Sequence, residues 1–354
     1  MDLKKISLIL QSEGKKVLIY HTDLDGVCSA VLMLKFFKGF GLAPRDGPFI
    51  DDRFLKELEK EKPDLMVVLD IPIDQEWEKV EYLQNKLPDL KMVVLDHHIP
   101  EKNLNSDRNI HMNPRFRENV YIPASCMVYR LLENLGLDVK PFIWIAAMGV
   151  IGDYGIEDCT DLFDECRKAY PSAIGDNPMK SSLRDISEYV MAALIMHGER
   201  GVEKSVEMLL GTDDFESVAR NEYFRACREK VDAEMRRIMK DFEKKKRESV
   251  ELGMLIYRLD SRLNMASTVS SIIAEKNPDK IVIITKHSGQ YVKVSARYQK
   301  GGINLNDLMK SASEGIGSGG GHEKAAGALI NRNDAEEFET RLIRKVAELK
   351  KNDS

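Results

Sequence analysis

Histidine and cysteine are scarce in this chain, with seven His and five Cys among 354 residues. The cysteines, Cys28, Cys126, Cys159, Cys166 and Cys227, are odd in number and never fall in a C-x-x-C spacing. That pattern argues against a disulfide scaffold or a thiolate-framed metal site and leaves reduced thiols in the core or at the surface. No apolar run approaches the roughly 20 residues that a bilayer span needs, which excludes membrane insertion. The opening MDLKKISLILQSEGKK has neither an apolar core long enough for a signal peptide nor a small-residue cleavage site, so a cytoplasmic protein is expected. The net charge of -5 argues against a basic coat for nucleic acid, although 251–326 is mildly basic within an acidic chain. There is no low-complexity segment and no internal repeat.

What is present describes a globular protein, with 43% hydrophobic and 31% charged residues and enough length for two domains. In the first hundred residues, short apolar runs alternate with helical patterns: VLIYH at 17–21, a helix from about Val27 to Phe40, LMVVLD at 65–70, a helix through Trp77 and Val80, and KMVVLDHH at 91–98. Continuous apolar strands separated by helices predict a doubly wound parallel sheet covered on both faces. Helical patterns in SCMVYRLLENLG and PFIWIAAMGVIGDYG continue this α/β domain, taken as 1–184. From 185 to 250 the pattern is helical only. Phe224, Cys227, Val231, Met235, Ile238 and Phe242 recur at spacings of three and four, which predicts a long amphipathic connector helix. A coiled-coil seam, and with it a homodimer, stays open for that helix. Strands return in GMLIYRLD, KIVIITKHS and YVKVSARYQ, with helices between and after them, and predict a smaller α/β domain over 251–354.

Ligands of parallel sheets gather at the carboxyl ends of the strands. Here those ends carry His21, Asp23 and Asp25, then Asp70, then Asp96, His97 and His98, while Asp153 follows an apolar helix. The i, i+2, i+4 spacing puts His21, Asp23 and Asp25 on one side if the segment is extended. Any one of these is explained by a cap or a turn, and Asp25 before Gly26 fits an N-cap. Together they are not. Carboxylates gathered at one edge repel one another unless cations neutralise them, and mixed oxygen and imidazole donors suit a pair of ions such as Mn²⁺.

HTDLDG, the Asp70 strand end, DHH and GDYG look like the four ordered motifs of the DHH phosphoesterases. GSGGGHEKAAG at 317–327 is similar to the glycine-rich motif of the DHH-associated C-terminal domain, as in archaeal RecJ-like and nanoRNase-type nucleases. The resemblance implies two divalent metal ions, Mn²⁺ preferred and Mg²⁺ second. One would be held by His21, Asp23 and Asp70, the other by Asp25, Asp70, His97 and Asp153, with Asp70 bridging. It further implies that His98 contacts the substrate phosphate, that Asp96 orients its neighbours, and that Arg297, Gly319, Gly320, Gly321 and His322 bind the nucleotide. For the glycine run, a tight turn whose backbone N–H groups approach a phosphate is expected, against a plain flexible connector. Arg297 also reads as a solvated strand residue, and His111, His197 and His287 as structural or surface groups.

The implied activity is a metal-dependent exonuclease on single-stranded or very short RNA or DNA. Two alternatives stand beside it: a phosphatase or phosphodiesterase for small nucleotides such as 3′-phosphoadenosine phosphate or a cyclic dinucleotide, and a non-catalytic replication scaffold. A replication or repair partner is left open, as are the choice of RNA or DNA and the polarity.

Overall fold

The computed structural model describes residues 3–46 and 49–352. The chain divides into two compact units, Met1–Arg228 and Glu229–Ser354. Among the described residues no helix is long and apolar enough to cross a membrane.

The first unit contains α1 (Leu3–Leu10), β1 (Lys16–His21), α2 (Leu24–Phe36), β2 (Phe40–Arg45), α3 (Asp52–Glu61), β3 (Leu65–Leu69), α4 (Trp77–Lys86), β4 (Lys91–Leu95) and β5 (Asn109–Met112). It continues through α5 (Ala124–Asn134), α6 (Ile143–Gly152), α7 (Thr160–Ala169), α8 (Ser182–His197), α9 (Glu199–Leu210) and α10 (Phe215–Arg220). The five strands pair in the order β2-β1-β3-β4-β5, all parallel. Phe54 and Leu58 of α3 and Val80 and Leu83 of α4 cover one face, against Ile19, Met66, Val68, Met92 and Val94. Residues of the other face, among them Leu18, Tyr20, Val67, Leu69, Val93 and Leu95, are buried as well, with α2 and α5 packed against β1, β3 and β4. Side chains buried on both faces explain why β3 and β4 read as unbroken apolar runs.

The helix expected to reach Phe40 stops at Phe36, and β2 follows it. Gly39, at φ +82°, turns the chain between them. β2 pairs with β1 alone at the sheet edge, where its Pro44 costs no central ladder bond and its residues are only partly buried, so it lacks an apolar signature. β5, the opposite edge, is just four residues long.

The long helix α11 (Glu222–Lys245) leads into the second unit. Phe224, Cys227, Val231, Ile238 and Phe242 of its apolar stripe are buried within the chain, which removes the basis for a coiled-coil seam. The helical stretch ends in a short strand rather than at 250. The second unit then runs β6 (Arg247–Ser249), β7 (Met254–Leu259), α12 (Ala266–Lys276), β8 (Ile281–Ser288), β9 (Tyr291–Arg297), α13 (Leu305–Ser313), β10 (Gly317–Gly321), β11 (Ala325–Asn331) and α14 (Ala335–Asn352). Its mixed sheet has the order β10-β11-β9-β8-β7-β6, in which only β7 and β8 are parallel. Ile283, Val294 and Ile330 of the sheet share a core with Leu308 and Met309 of α13 and Phe338 and Leu342 of α14.

Candidate metal centre

β1 and β3 are neighbours although β2 lies between them in sequence, so the crevice at their carboxyl ends is the switch point of the sheet. His21 ends β1. Asp23, in extended backbone, caps α2 by accepting the Gly26 N–H at 3.0 Å. α2 therefore starts at Leu24, and Asp25 lies in its first turn rather than in an extended His21–Asp23–Asp25 alternation. Nor does Asp25 cap its own helix. Its carboxylate is fully buried and accepts the N–H groups of Ala124 (2.6 Å) and Ser125 (3.0 Å), capping α5, whose own cap position, Pro123, supplies no side-chain bond. Gly149 of α6 permits this, since a Cβ there would lie 2.4 Å from Ser125 Oγ and 2.8 Å from Asp25 Oδ1.

Asp70 follows β3 in a left-handed conformation, φ +60°, which costs a non-glycine residue roughly 1–3 kcal/mol and is best tolerated by Asp and Asn. Its N–H donates to Leu95 O at 2.9 Å, and its buried carboxylate has His97 Nε2 at 3.1 Å on one oxygen and His21 Nδ1 at 3.6 Å on the other. His97 Nε2 lies 3.2 Å from Asp153 Oδ2 at the end of α6, and His98 Nδ1 lies 2.7 Å from Asp96. One ligand atom each from Asp25, Asp70, His97 and Asp153 lies within 4.8 Å of the others, and the same holds for His21, Asp23 and Asp70 and for Asp70, Asp96 and His98.

The electrostatics are those of a charged cluster turned in on itself. Burial, with the charges of Asp70, Asp153 and Asp23, holds the Asp25 carboxyl well above its usual range. Burial, with Asp23 and Asp70, raises that of Asp153 to about 6. Burial also works against a charged His97, yet the Asp70 hydrogen bond and the charges of Asp153, Asp70 and Asp25 outweigh it and carry the imidazole up to about 10. Asp96, though buried, is brought down to about 2 by His98 and His97. A divalent cation would invert this pattern, because metal binding requires deprotonated carboxylates and neutral imidazoles. The donors fit one. His21 Nδ1 is 2.9 Å from Asp23 Oδ2 without hydrogen-bond geometry, and Asp70 Oδ2 is buried without a hydrogen bond among the described residues.

Three neighbours of this cluster were not identified from the sequence. Tyr121 donates its hydroxyl to Asp153 Oδ2 at 3.0 Å and sets its ring edge-on to His97, centroids 4.8 Å apart. Asn113 donates to His98 O (2.9 Å) and to Asp96 Oδ2 (3.4 Å), and Arg115 Nε donates to His97 O (3.0 Å). All three lie in the irregular stretch between β5 and α5, which has no periodicity to draw attention to it. The one available signal was Pro123, which opens an apolar helix without a capping side chain and so calls for an acceptor from elsewhere.

The remaining candidates belong to the second unit. Arg297 ends β9, where its guanidinium donates to Ser267 Oγ (2.8 Å), Ser271 Oγ (3.2 Å) and Ala296 O (2.8 Å). Gly319, Gly320 and Gly321 do not form a turn: they lie in β10, an edge strand antiparallel to β11, and the turn comes afterwards, with His322 N–H on Ala325 O at 2.7 Å. Close packing accounts for Gly317 and Gly319 but not for Gly320. A Cβ on Gly319 would lie 2.6 Å from Met309 O of α13, and one on Gly317 would lie 2.2 Å from Leu329 O, whereas at Gly320 nothing comes nearer than 3.6 Å. His111 is buried and accepts the Leu104 N–H at 3.3 Å, His197 stacks on Tyr223, and His287 meets Arg258.

The sequence matches the DHH family, N-terminal domain, over residues 16–168 and the DHHA1 domain over residues 253–348. The chain belongs to the DHH family, with its DHH domain followed by its DHHA1 domain. An uncharacterized protein of Methanocaldococcus jannaschii is 25% identical over 96% of this chain and 97% of its own. The fold is similar to that of Thermus thermophilus RecJ, whose structure was solved in complex with Mn²⁺ (TM-score 0.73, 18% identity); the match covers 98% of this chain but only 54% of that one. It is also similar to CDC45 from Entamoeba histolytica (TM-score 0.60, 8% identity, 98% of each chain) and to the pGpG-specific phosphodiesterase PggH of Vibrio cholerae (TM-score 0.50, 14% identity, 94% of this chain and 99% of that one).

Proposed function

We propose that this chain is a two-metal phosphodiesterase that hydrolyses single-stranded or very short RNA or DNA to mononucleotides, with Mn²⁺ preferred over Mg²⁺. The observation that carries the reading is the position of Asp70, whose carboxylate is shared by the His21–Asp23 group and the Asp25–His97–Asp153 group. We assign one ion to His21, Asp23 and Asp70, and the other to Asp25, Asp70, His97 and Asp153. Such a pair, when bound, stabilises both the attacking and the leaving oxygen of a phosphoryl displacement. The protein supplies the rest. Asp96 holds Nδ1 of His98 and so orients the ring whose other nitrogen we assign to a phosphate oxygen. Tyr121 and Arg115 hold Asp153 and the His97 backbone in place. In the second unit we assign nucleotide binding to Arg297, Gly319, Gly320, Gly321 and His322. Arg297 is suited to it because serine hydroxyls and a carbonyl position its guanidinium for an anion.

A second reading, hydrolysis of a small linear or cyclic dinucleotide or of 3′-phosphoadenosine phosphate, draws support from the likeness to PggH. RNA and DNA oligomers of graded length, labelled at the 5′ or 3′ end and assayed with EDTA, Mn²⁺ or Mg²⁺, separate the two. The expected result is Mn²⁺-dependent release of mononucleotides from oligomers. Turnover confined to dinucleotides or to a terminal phosphate favours the second reading, and full activity in EDTA overturns both.

A further inference from the structure

Three non-glycine residues among those described have positive φ: Lys62, Asp70 and Tyr154. Lys62 closes α3, and Asp70 belongs to the carboxylate cluster. Tyr154 is the unexplained one. It follows Asp153 at the end of α6, where Gly155 N–H donates to Val150 O (3.1 Å) and Tyr154 N–H to Ile151 O (3.3 Å). This paired closure normally places glycine at its left-handed residue. Here the left-handed residue is a tyrosine at φ +58°, although a glycine stands next to it. Stability alone would favour glycine at 154.

Tyr154 so placed is 42% exposed. It emerges one residue from the carboxylate whose Oδ2 is 3.2 Å from His97 Nε2, and adjacent Cα atoms are about 3.8 Å apart. The Arg184 guanidinium of α8 lies over it, 5.6 Å from the ring centroid, steadied by Glu188 at 3.4 Å. Arg184 Nη1 is buried and has no hydrogen-bond partner among the described residues. A partly exposed tyrosine with a cation against its ring, one residue from a cluster suited to phosphate chemistry, matches a flat ligand.

We propose that Tyr154, backed by Arg184, is the platform on which a nucleobase of the substrate stacks. This rests on the nucleotide reading above and narrows it, since base-free substrates such as inorganic polyphosphate would gain nothing from the ring. Stacking on an aromatic side chain tolerates any base, so the subsite confers selectivity for nucleotides without sequence preference.

The test compares Tyr154→Gly, Tyr154→Phe and Tyr154→Trp with the unaltered enzyme, on a dinucleotide and on its abasic analogue. Tyr154→Gly is expected to raise KM on the dinucleotide by roughly five- to hundredfold, the range set by one base stack. Its loss on the abasic analogue should be smaller, and its Tm unchanged or higher because glycine relieves the left-handed backbone. Phe and Trp should retain most of the affinity. An unchanged KM for Tyr154→Gly in an enzyme that cleaves dinucleotides would overturn the stacking role and leave the phosphodiesterase reading intact. A lowered Tm with equal losses on both substrates would make the ring structural and overturn it too. An unaltered enzyme that cleaves only base-free phosphoesters would overturn the nucleotide reading itself.

Discussion

The two units use their special residues in opposite ways. In the first, polar and charged side chains are brought to a sheet end at a cost: Asp70 takes a left-handed conformation, Asp25 and Asp153 are held as raised carboxyls, and His97 is buried among them. In the second, the unusual glycines relieve packing, letting β10 lie directly on α13 and β11. The motif of the first unit is thus a set of side chains that the fold must stabilise, whereas in the second the fold requires missing side chains at Gly317 and Gly319. The contrast teaches that a sequence signature does not reveal whether its residues serve chemistry or packing until their neighbours are known.

The sharpest way to break the contrast is at Asp70. Asp70→Asn keeps the tolerated left-handed backbone and removes the shared charge. Activity should fall by more than about a thousandfold, since losing even one electrostatic stabiliser of a transition state costs about 10²–10³. Calorimetric titration of the variant should show both Mn²⁺ sites weakened, and one intact site would mean that Asp70 is not the bridge. In the second unit, Arg297→Ala should lower kcat/KM on a dinucleotide by roughly tenfold to a hundredfold, mainly through KM, as expected for a charge-assisted contact of about 1.5–3 kcal/mol. Equal kinetics would leave Arg297 as a structural tie to α12.

Tyr121→Phe tests the support of the cluster. Loss of a hydrogen bond to a ligand typically weakens a metal by about tenfold or more, so one Mn²⁺ should bind more weakly and higher Mn²⁺ should restore turnover. The pH dependence has a defined sign. With the Asp153 carboxyl held at about 6 against an ordinary 3.8, its protonated form stabilises the metal-free fold fully below 3.8, and that contribution is lost as pH rises through about 6. Bound cation must displace this proton, so the Tm increment produced by Mn²⁺ should grow as pH rises through the same window. An increment that shrank with pH would place Asp153 outside the metal shell.

The smallest effects separate packing from binding along β10. Gly319→Ala should destabilise the second unit by about 1–3 kcal/mol, the usual cost of overpacking, because its Cβ meets Met309 O at 2.6 Å. Gly320→Ala would make only ordinary van der Waals contacts, at 3.6 Å and beyond, and should leave Tm unchanged. A higher KM for Gly320→Ala would assign the strand to substrate binding, and an unchanged one would leave packing as its whole role.

Much of the fold was legible because burial writes a period into the sequence. LMVVL and KMVVL declare strands covered on both faces, and Phe224 to Phe242 declares a helix stripe. Edge elements left no such mark: β2 is partly exposed and carries a proline, and β10 is nearly all glycine. The structure also brings together His21, Asp23, Asp25, Asp70, His97 and Asp153, the residues singled out at strand and helix ends. Their geometry was not legible. Whether Asp23 or Asp25 capped α2 depended on where the helix began, and Asp25 was claimed by α5, a hundred residues away.

By itself, then, the sequence determined the parallel sheet, the carboxyl-end placement of the acidic and imidazole residues, and their number, because apolar periodicity and strand-end chemistry are local properties of the chain. Only the tertiary structure decided that Asp70 lies between the two groups, that Tyr121, Asn113 and Arg115 support them, that Tyr154 stands exposed in a glycine's conformation, and that the glycine run is a strand. Each of these depends on contacts between segments far apart in sequence, where the deciding quantities are the distance of closest approach and the burial of charge, and no local pattern records either.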